Sequence, residues 1–268
     1  MHPPSLRFLI LSLAALGSAP AGEPPPNAVD IIAHRGASAA APENTVAAFR
    51  LAWRQGADSC ELDLHLTADH EIAVLHDANA QRTTGNALAV ERSTLAELQA
   101  LDAGSRKSPE FAGERIPSLK QALATLPGGN HRFFLEIKGH DPAVIPVLAR
   151  QLAPWKPRAR QLRLIAFDRS IAREAKQTLP WLEVYRISAP ANLDQLIRHT
   201  LEDGLDGLDL GLKWPWTPEM VREVRDAGLK LYVWTVNQPD DVKRLAALGI
   251  DGITTDDPVM ARRALTGL

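Results

Sequence analysis

The stretch Ser59-Cys60-Glu61-Leu62-Asp63-Leu64-His65-Leu66-Thr67 decides how this chain is read. Polar and apolar residues alternate along it with a period of two, the pattern of a β-strand whose successive side chains point to opposite faces. Cys60, Leu62 and Leu64 share one face, and Glu61, Asp63 and His65 share the other. Such a strand suits the wall of a barrel, where the apolar face receives helices and the acidic face turns inward.

Working outward, strand-like runs recur at 30–34, 132–138, 162–167, 183–187, 207–210, 230–236 and 252–254, which with 59–67 makes eight. Each is followed by a segment with helical periodicity. The first, 43–55, carries Val46, Phe49 and Trp53 at spacings of three and four, with Pro42 just before it. The others are 118–126, 142–152, 170–178, 193–202, 217–227, 239–248 and 258–265. Eight β/α units predict an α/β fold of the (β/α)8 TIM-barrel type. A doubly wound open sheet is the alternative, but no Gly-rich dinucleotide turn follows the first strand. A short extra strand at 71–76 and a polar stretch at 77–117 break the rhythm. With one helical piece at 94–101, the stretch reads as a short insertion after the second main strand, a lid rather than a separate core.

Chemistry-bearing residues gather at strand ends, where such barrels place their sites. His34 and Arg35 end the first strand, Glu61 and Asp63 lie on the second, His76 and Asp77 close the short extra strand, and Glu136 and Lys138 lie on the next main strand. Three inward carboxylates, Glu61, Asp63 and Glu136, would repel one another if bare. One divalent cation resolves this, and all-oxygen ligation suits Ca2+ or Mg2+ better than Zn2+. His65 shares the inward face and reads as a peripheral polar residue, since three carboxylates already fill the metal role. The histidines at the strand ends are then free for proton transfer. Arg35 and Lys138 can hold phosphate oxygens, one as a fork and the other as a point charge. Together the set points to metal-assisted attack at a phosphate.

Bulk properties narrow the partners. The net charge is −2, from 30 Lys and Arg against 32 Asp and Glu, so nothing points to a nucleic acid. A single cysteine, Cys60, excludes an internal disulfide, and its place on an apolar strand face reads as packing rather than as a nucleophile. Residues 1–21 carry Arg7, an apolar run over 8–16 and the ending Ala19-Pro20-Ala21, the layout of a secretory signal peptide. The run is short of the roughly 20 apolar residues a membrane span needs; an uncleaved anchor is the alternative. The expectation is therefore an exported bacterial protein, periplasmic or secreted, with no stable membrane anchor after signal cleavage. A Pro-rich leader at 22–28 precedes a domain at 29–268, close to the roughly 250 residues of one (β/α)8 unit.

The chain resembles the glycerophosphodiester phosphodiesterase family. The matching pieces are HRG at 34–36, PENT at 42–45, ELD at 61–63, HD at 76–77, RTTG at 82–85, EIK at 136–138, WTVN at 234–237 and DGITTDDP at 251–258, in the family's order. The resemblance implies a TIM barrel and metal-dependent hydrolysis of a small-molecule glycerophosphodiester to glycerol 3-phosphate and an alcohol. It implies a metal on Glu61, Asp63 and Glu136, an acid/base pair at His34 and His76, and Arg35 and Lys138 on the phosphate. It also implies that Glu43 supports the site or adds a metal contact, with Asn44 and Asp77 as further supporting residues, and that Trp234 walls the glycerol or headgroup pocket. Two positions depart from the family pattern. Asp69-His70 replaces a usual Asp-Gly turn, which the tolerance of His for left-handed backbone should accommodate at some strain. Lys120 stands where Glu is frequent, on a helix surface.

The mechanism expected from these parts has two steps. The glycerol 2-hydroxyl attacks phosphorus, with His34 as base and His76 as acid to the leaving alcohol, and water then opens a cyclic phosphate. Direct attack by water is the alternative. A phospholipase D-like or lysophospholipase D-like enzyme shares this chemistry but needs an apolar groove, which the polar 77–117 stretch does not supply. A binding module with a dead site predicts a missing carboxylate or histidine, and none is missing. A metal-dependent sugar isomerase leaves Arg35 and Lys138 unexplained.

Overall fold

Eight parallel strands close on themselves. The computed structural model describes residues 29–267, so the signal-peptide segment 1–21 and the leader 22–28 lie outside the described residues. Strand β1 (Asp30–Ala33) pairs with β2 (Ser59–Leu66) on one side and with β9 (Gly252–Thr255) on the other. The circuit between them runs through β4 (Arg132–Ile137), β5 (Leu162–Ala166), β6 (Glu183–Ser188), β7 (Gly207–Gly211) and β8 (Lys230–Trp234), each parallel to the next. The (β/α)8 barrel expected from the sequence is the fold observed. A short strand, β3 (Ile72–Val74), turns back antiparallel on β2. His70 in the turn takes φ 56°, so the left-handed position expected for a replaced glycine is real.

The alternation of β2 does what its pattern requires. Cys60, Leu62 and Leu64 are buried in the layer between strands and helices, with Phe49, Ala52, Phe133 and Leu135. Cys60 is a free, buried thiol. Inside the barrel, Ile32, Phe134, Ile165, Tyr185, Ile187 and Tyr232 form a second cluster. The Tyr232 ring lies 5.1 Å from Phe134 and 5.0 Å from Tyr185, between centroids. Burying one such side chain is worth about 1.5–3 kcal/mol, and together these rings plug the barrel and separate its two mouths.

Three details differ from the sequence reading. Helix α1 (Val46–Arg54) begins later than 43, because Asn44 is left-handed at φ 57° and Thr45 is the N-cap, its Oγ1 accepting from Ala48 N at 3.2 Å. Strand β8 ends at Trp234 rather than at 236. Pairing with β9 stops at Val233, and the chain bulges before Val236 N donates to Thr254 O at 2.8 Å. The 77–117 stretch does have a core of its own, burying Ala80, Val90, Leu98, Ala103 and Ile116 in a satellite cluster with Ala73 and Leu75. Its apolar residues follow neither the helical nor the strand period, so pattern alone does not reveal them. The stretch carries two short helices, α2 (Gln81–Thr84) and α3 (Leu95–Gln99), the latter closed by a Thr94–Glu97 capping box.

The remaining helices, α4 (Leu119–Leu123), α5 (Val144–Leu152), α6 (Arg169–Thr178), α7 (Leu193–Glu202), α8 (Pro218–Asp226), α9 (Pro239–Leu248) and α10 (Pro258–Thr266), follow the expected order. Lys120 is exposed on α4.

Candidate active site

The C-terminal mouth of the barrel gathers the residues that the sequence placed at strand ends. Glu61 and Asp63 on β2 and Glu136 on β4 each bring a carboxylate oxygen within 4.8 Å of the others. Parallel register explains this, since Asp63 sits directly opposite Glu136. Glu61 and Asp63 are buried, and each commits one oxygen to the protein. Glu61 Oε2 accepts from Arg35 N at 2.9 Å, and Asp63 Oδ2 accepts from Asn44 Nδ2 at 2.7 Å. The other oxygens, Glu61 Oε1 and Asp63 Oδ1, are buried with no hydrogen-bond partner. Burial, and then the charges of its two neighbours, raises Glu61 well above the ordinary carboxylate range. Burial and Asp63 raise Glu136 in the same way against the pull of Lys138. Orphaned buried oxygens on converging hard donors fit a Ca2+ or Mg2+ ion.

Two left-handed residues hold this geometry. Arg35 takes φ 56° and Asn44 φ 57°, and Asn44 N donates to Arg35 O at 2.9 Å. Such conformations cost about 1–3 kcal/mol each outside glycine. They aim Arg35 N at Glu61 and let Asn44 clamp Asp63 twice, its Oδ1 also accepting from Asp63 N at 3.2 Å. Gly36 completes the turn at φ 81°, and a Cβ there would meet Ala48 of α1 at 2.7 Å.

The cations are less free than the sequence implied. Arg35 Nη1 donates to Glu43 Oε1 at 2.9 Å, and its Nε lies 3.3 Å from Asp63 Oδ2. Lys138 Nζ donates to Glu136 Oε1 at 2.6 Å and lies 3.4 Å from Asp63 Oδ1. Glu43 serves the arginines rather than the carboxylate group. Arg82 of α2 grips it through Nη1 at 2.5 Å and Nη2 at 2.8 Å, and reaches Asp77 Oδ2 through Nε at 2.7 Å.

Both histidines are held the same way. His34 Nδ1 lies 2.6 Å from Asp256 Oδ1, and His76 Nδ1 lies 2.8 Å from Asp77 Oδ1. A carboxylate accepts only, so each Nδ1 carries the proton and Nε2 is left for proton exchange. Burial works to raise both aspartates, yet hydrogen bonds bring each down to about 2: from Arg82 and His76 for Asp77, and from His34, Asn237 and Ser38 for Asp256. His65 is more than peripheral: its Nε2 lies 3.0 Å from His76 O and so fixes the backbone beside the second histidine.

Trp234 closes one side of the mouth. Its Nε1 donates to Asp209 O at 3.1 Å, and its ring meets the exposed Phe167 edge to face at 5.5 Å. Beneath it lies a cavity of about 170 Å³, lined by His34, Glu61, His76, Glu136, Asp209 and Trp234 among others. Asp209 of β7 does not stand out in the sequence. It is buried, its Oδ1 has no hydrogen-bond partner, and burial with the nearby charge of Glu136 pushes its carboxyl up to about 8. Its signal is present, as a lone acid inside Gly207-Leu208-Asp209-Leu210-Gly211. Arg82, Asn237 and Asp256 lie inside the motifs RTTG, WTVN and DGITTDDP, where sequence alone gave them no role.

Comparison with known proteins agrees with this geometry. Residues 34–260 match the model of the Glycerophosphoryl diester phosphodiesterase family. A glycerophosphodiester phosphodiesterase of Caldanaerobacter subterraneus subsp. tengcongensis is 33% identical over 85% of this chain and 94% of its own. One from Bacillus subtilis is 28% identical over 90% of this chain and 88% of its own. Among solved structures, an Oleispira antarctica phosphodiesterase in complex with the product sn-glycerol-3-phosphate superposes with a TM-score of 0.82 at 28% identity, covering 88% of this chain and 96% of that one. The barrel, the carboxylate group with its paired histidines, and a match across the described domain lead to one conclusion: the chain belongs to the glycerophosphoryl diester phosphodiesterase family and is an enzyme of that family.

Proposed function

We propose that the protein hydrolyses glycerophosphodiesters to glycerol 3-phosphate and an alcohol by two-histidine acid–base catalysis, with one divalent cation, Ca2+ or Mg2+, on Glu61, Asp63 and Glu136. The observation that carries this reading is the pair of imidazoles, each held at Nδ1 by an aspartate, beside three carboxylates with buried orphan oxygens. When bound, the cation supplies Lewis-acid stabilisation of charge on phosphoryl oxygens and lowers the pKa of a neighbouring hydroxyl.

The chain's own groups do the rest. His34 Nε2 takes the proton of the glycerol 2-hydroxyl as that oxygen attacks phosphorus, and His76, entering the step as the imidazolium, gives its Nε2 proton to the departing alcohol. Water then opens the cyclic phosphate with the two roles exchanged. Arg35 and Lys138 face the phosphate oxygens, and Trp234 packs against the organic part of the substrate. The layout of residues 1–21 supports export, so that the site meets its diesters outside the cytoplasm.

A panel assay tests the reading. Glycerophosphocholine, glycerophosphoethanolamine, glycerophosphoinositol and a lysophospholipid are compared, with glycerol 3-phosphate as the expected product of the first three. Preference for the lysophospholipid would instead favour a phospholipase D-like activity, for which the exposed Phe167 at the rim offers an apolar contact. A substrate lacking the 2-hydroxyl should turn over poorly; unimpaired turnover would sink the cyclic route.

A further inference from the structure

We propose that Asp209 is a specificity-determining residue of this site, its orphan carboxylate oxygen receiving the terminal hydroxyl of the glycerol moiety. The inference rests on the functional reading above and specifies which half of the substrate is recognised. Buried acids are normally paired, and an orphaned one asks for an explanation. Asp209 is only 4% exposed, and its Oδ1 has no partner. Its neighbours on β7, Leu208 and Leu210, pack outward against the helices, which leaves Asp209 facing the barrel interior. Among the residues lining the cavity, the other buried carboxylate oxygen without a partner belongs to Glu61, which the carboxylate group accounts for.

The chemistry of the substrate agrees. Asp209 lines the same small cavity, about 170 Å³, as Glu61, Glu136, His34 and His76, so a group on Asp209 sits within the site itself. Only the constant half of the substrate brings a free terminal hydroxyl, so that half is the one placed on Asp209. Within glycerol, one oxygen is esterified and the 2-hydroxyl is the attacking group. The terminal hydroxyl is left, and it needs a buried acceptor. The indole wall is tied to the same residue, since Trp234 Nε1 donates to Asp209 O, so the apolar and polar sides of the subsite move together.

The test uses the full-length, metal-loaded protein and two substrates: glycerophosphocholine, and the phosphocholine ester of propane-1,2-diol, which keeps the 2-hydroxyl and lacks the terminal one. Wild type should prefer glycerophosphocholine by about tenfold or more in kcat/KM. In Asp209→Val that ratio should fall to near one, mainly through a higher KM for glycerophosphocholine. Asp209→Asn, isosteric and safe for folding, should keep part of the preference. Glycerol 3-phosphate should inhibit wild type more tightly than inorganic phosphate, and Asp209→Val should narrow that gap. An enzyme active on glycerophosphocholine whose variants keep the full preference overturns the role of Asp209 alone. A wild type inert on glycerophosphocholine overturns the functional reading and this subsite with it.

Discussion

The two mouths of the barrel are both rich in buried charge, yet only one is arranged for chemistry. At the N-terminal mouth the carboxylates are met by protein donors. Asp30 accepts from Ser59 Oγ at 3.0 Å and from Arg132 Nη1 at 2.7 Å. Glu183 is flanked by Arg163 at 2.7 Å and Lys230 at 3.1 Å, and Asp58 Oδ2 accepts from Ile31 N at 2.9 Å and Arg262 Nη2 at 2.8 Å. At the C-terminal mouth Glu61, Asp63 and Asp209 each keep a buried oxygen without a hydrogen-bond partner. The N-terminal mouth holds a cavity of about 450 Å³, and the C-terminal mouth holds one of similar size, about 460 Å³, beside His34, Arg35 and Asp256. Neither volume nor charge count separates a structural cluster from a functional one. Saturation of the buried carboxylates does, because a filled acceptor has nothing left to offer a ligand, whereas an unfilled one costs stability until a ligand arrives.

That contrast can be broken at several points. The largest effect should come from Glu61→Gln, which removes charge from the unsaturated mouth. It should lower kcat for glycerophosphocholine by at least about a thousandfold, while in chelator its melting temperature should match or exceed that of wild type. His76→Ala should cost about 10²–10⁴ in kcat, read in the same assay. At the saturated mouth, Arg132→Met should leave kcat/KM within about twofold but lower the melting temperature by several degrees, because it strands the buried Asp30. Substantial loss of activity there, with the fold intact, would erase the distinction between the mouths.

The smallest effect concerns pH. Asp77 and Asp256 are held at about 2, below the ordinary carboxylate value. A carboxylate depressed by folding stabilises the protein above its unfolded pKa, and that stability is lost as pH falls through the folded value. Melting temperature should therefore fall between about pH 4 and pH 2, and the fall should be shallower in an Asp77→Asn, Asp256→Asn double variant. A slope unchanged by the two substitutions would mean that the histidine clamps carry no such linkage.

Much of this architecture is legible in the order of the residues alone. Period-two alternation in β2 puts Glu61 and Asp63 on the inner face and Cys60, Leu62 and Leu64 on the outer, as observed. The regular run of strand and helix signals predicts the closed barrel, and α7 and α9 lie where periodicity puts them. What escapes such reading is contact between distant segments. Asp256 meets His34 across the closure of the barrel, and Arg82 reaches Glu43 from the insertion; neither pairing leaves a periodic trace. The start of α1 escapes because Pro42 looks like a helix opening, whereas Asn44 and Thr45 carry the real turn and cap. Asp209 escapes because one acid in a short leucine-rich strand reads as easily as a solvated end.

The most direct test of the account follows turnover and metal occupancy together. The protein is stripped with a chelator and titrated with Ca2+ or Mg2+, with binding measured by calorimetry and glycerophosphocholine hydrolysis measured at each step. The account predicts no turnover in the stripped protein, activity returning in proportion to bound cation and saturating at one per chain, and neither binding nor activity in Glu61→Gln. Full turnover by the stripped protein would contradict it.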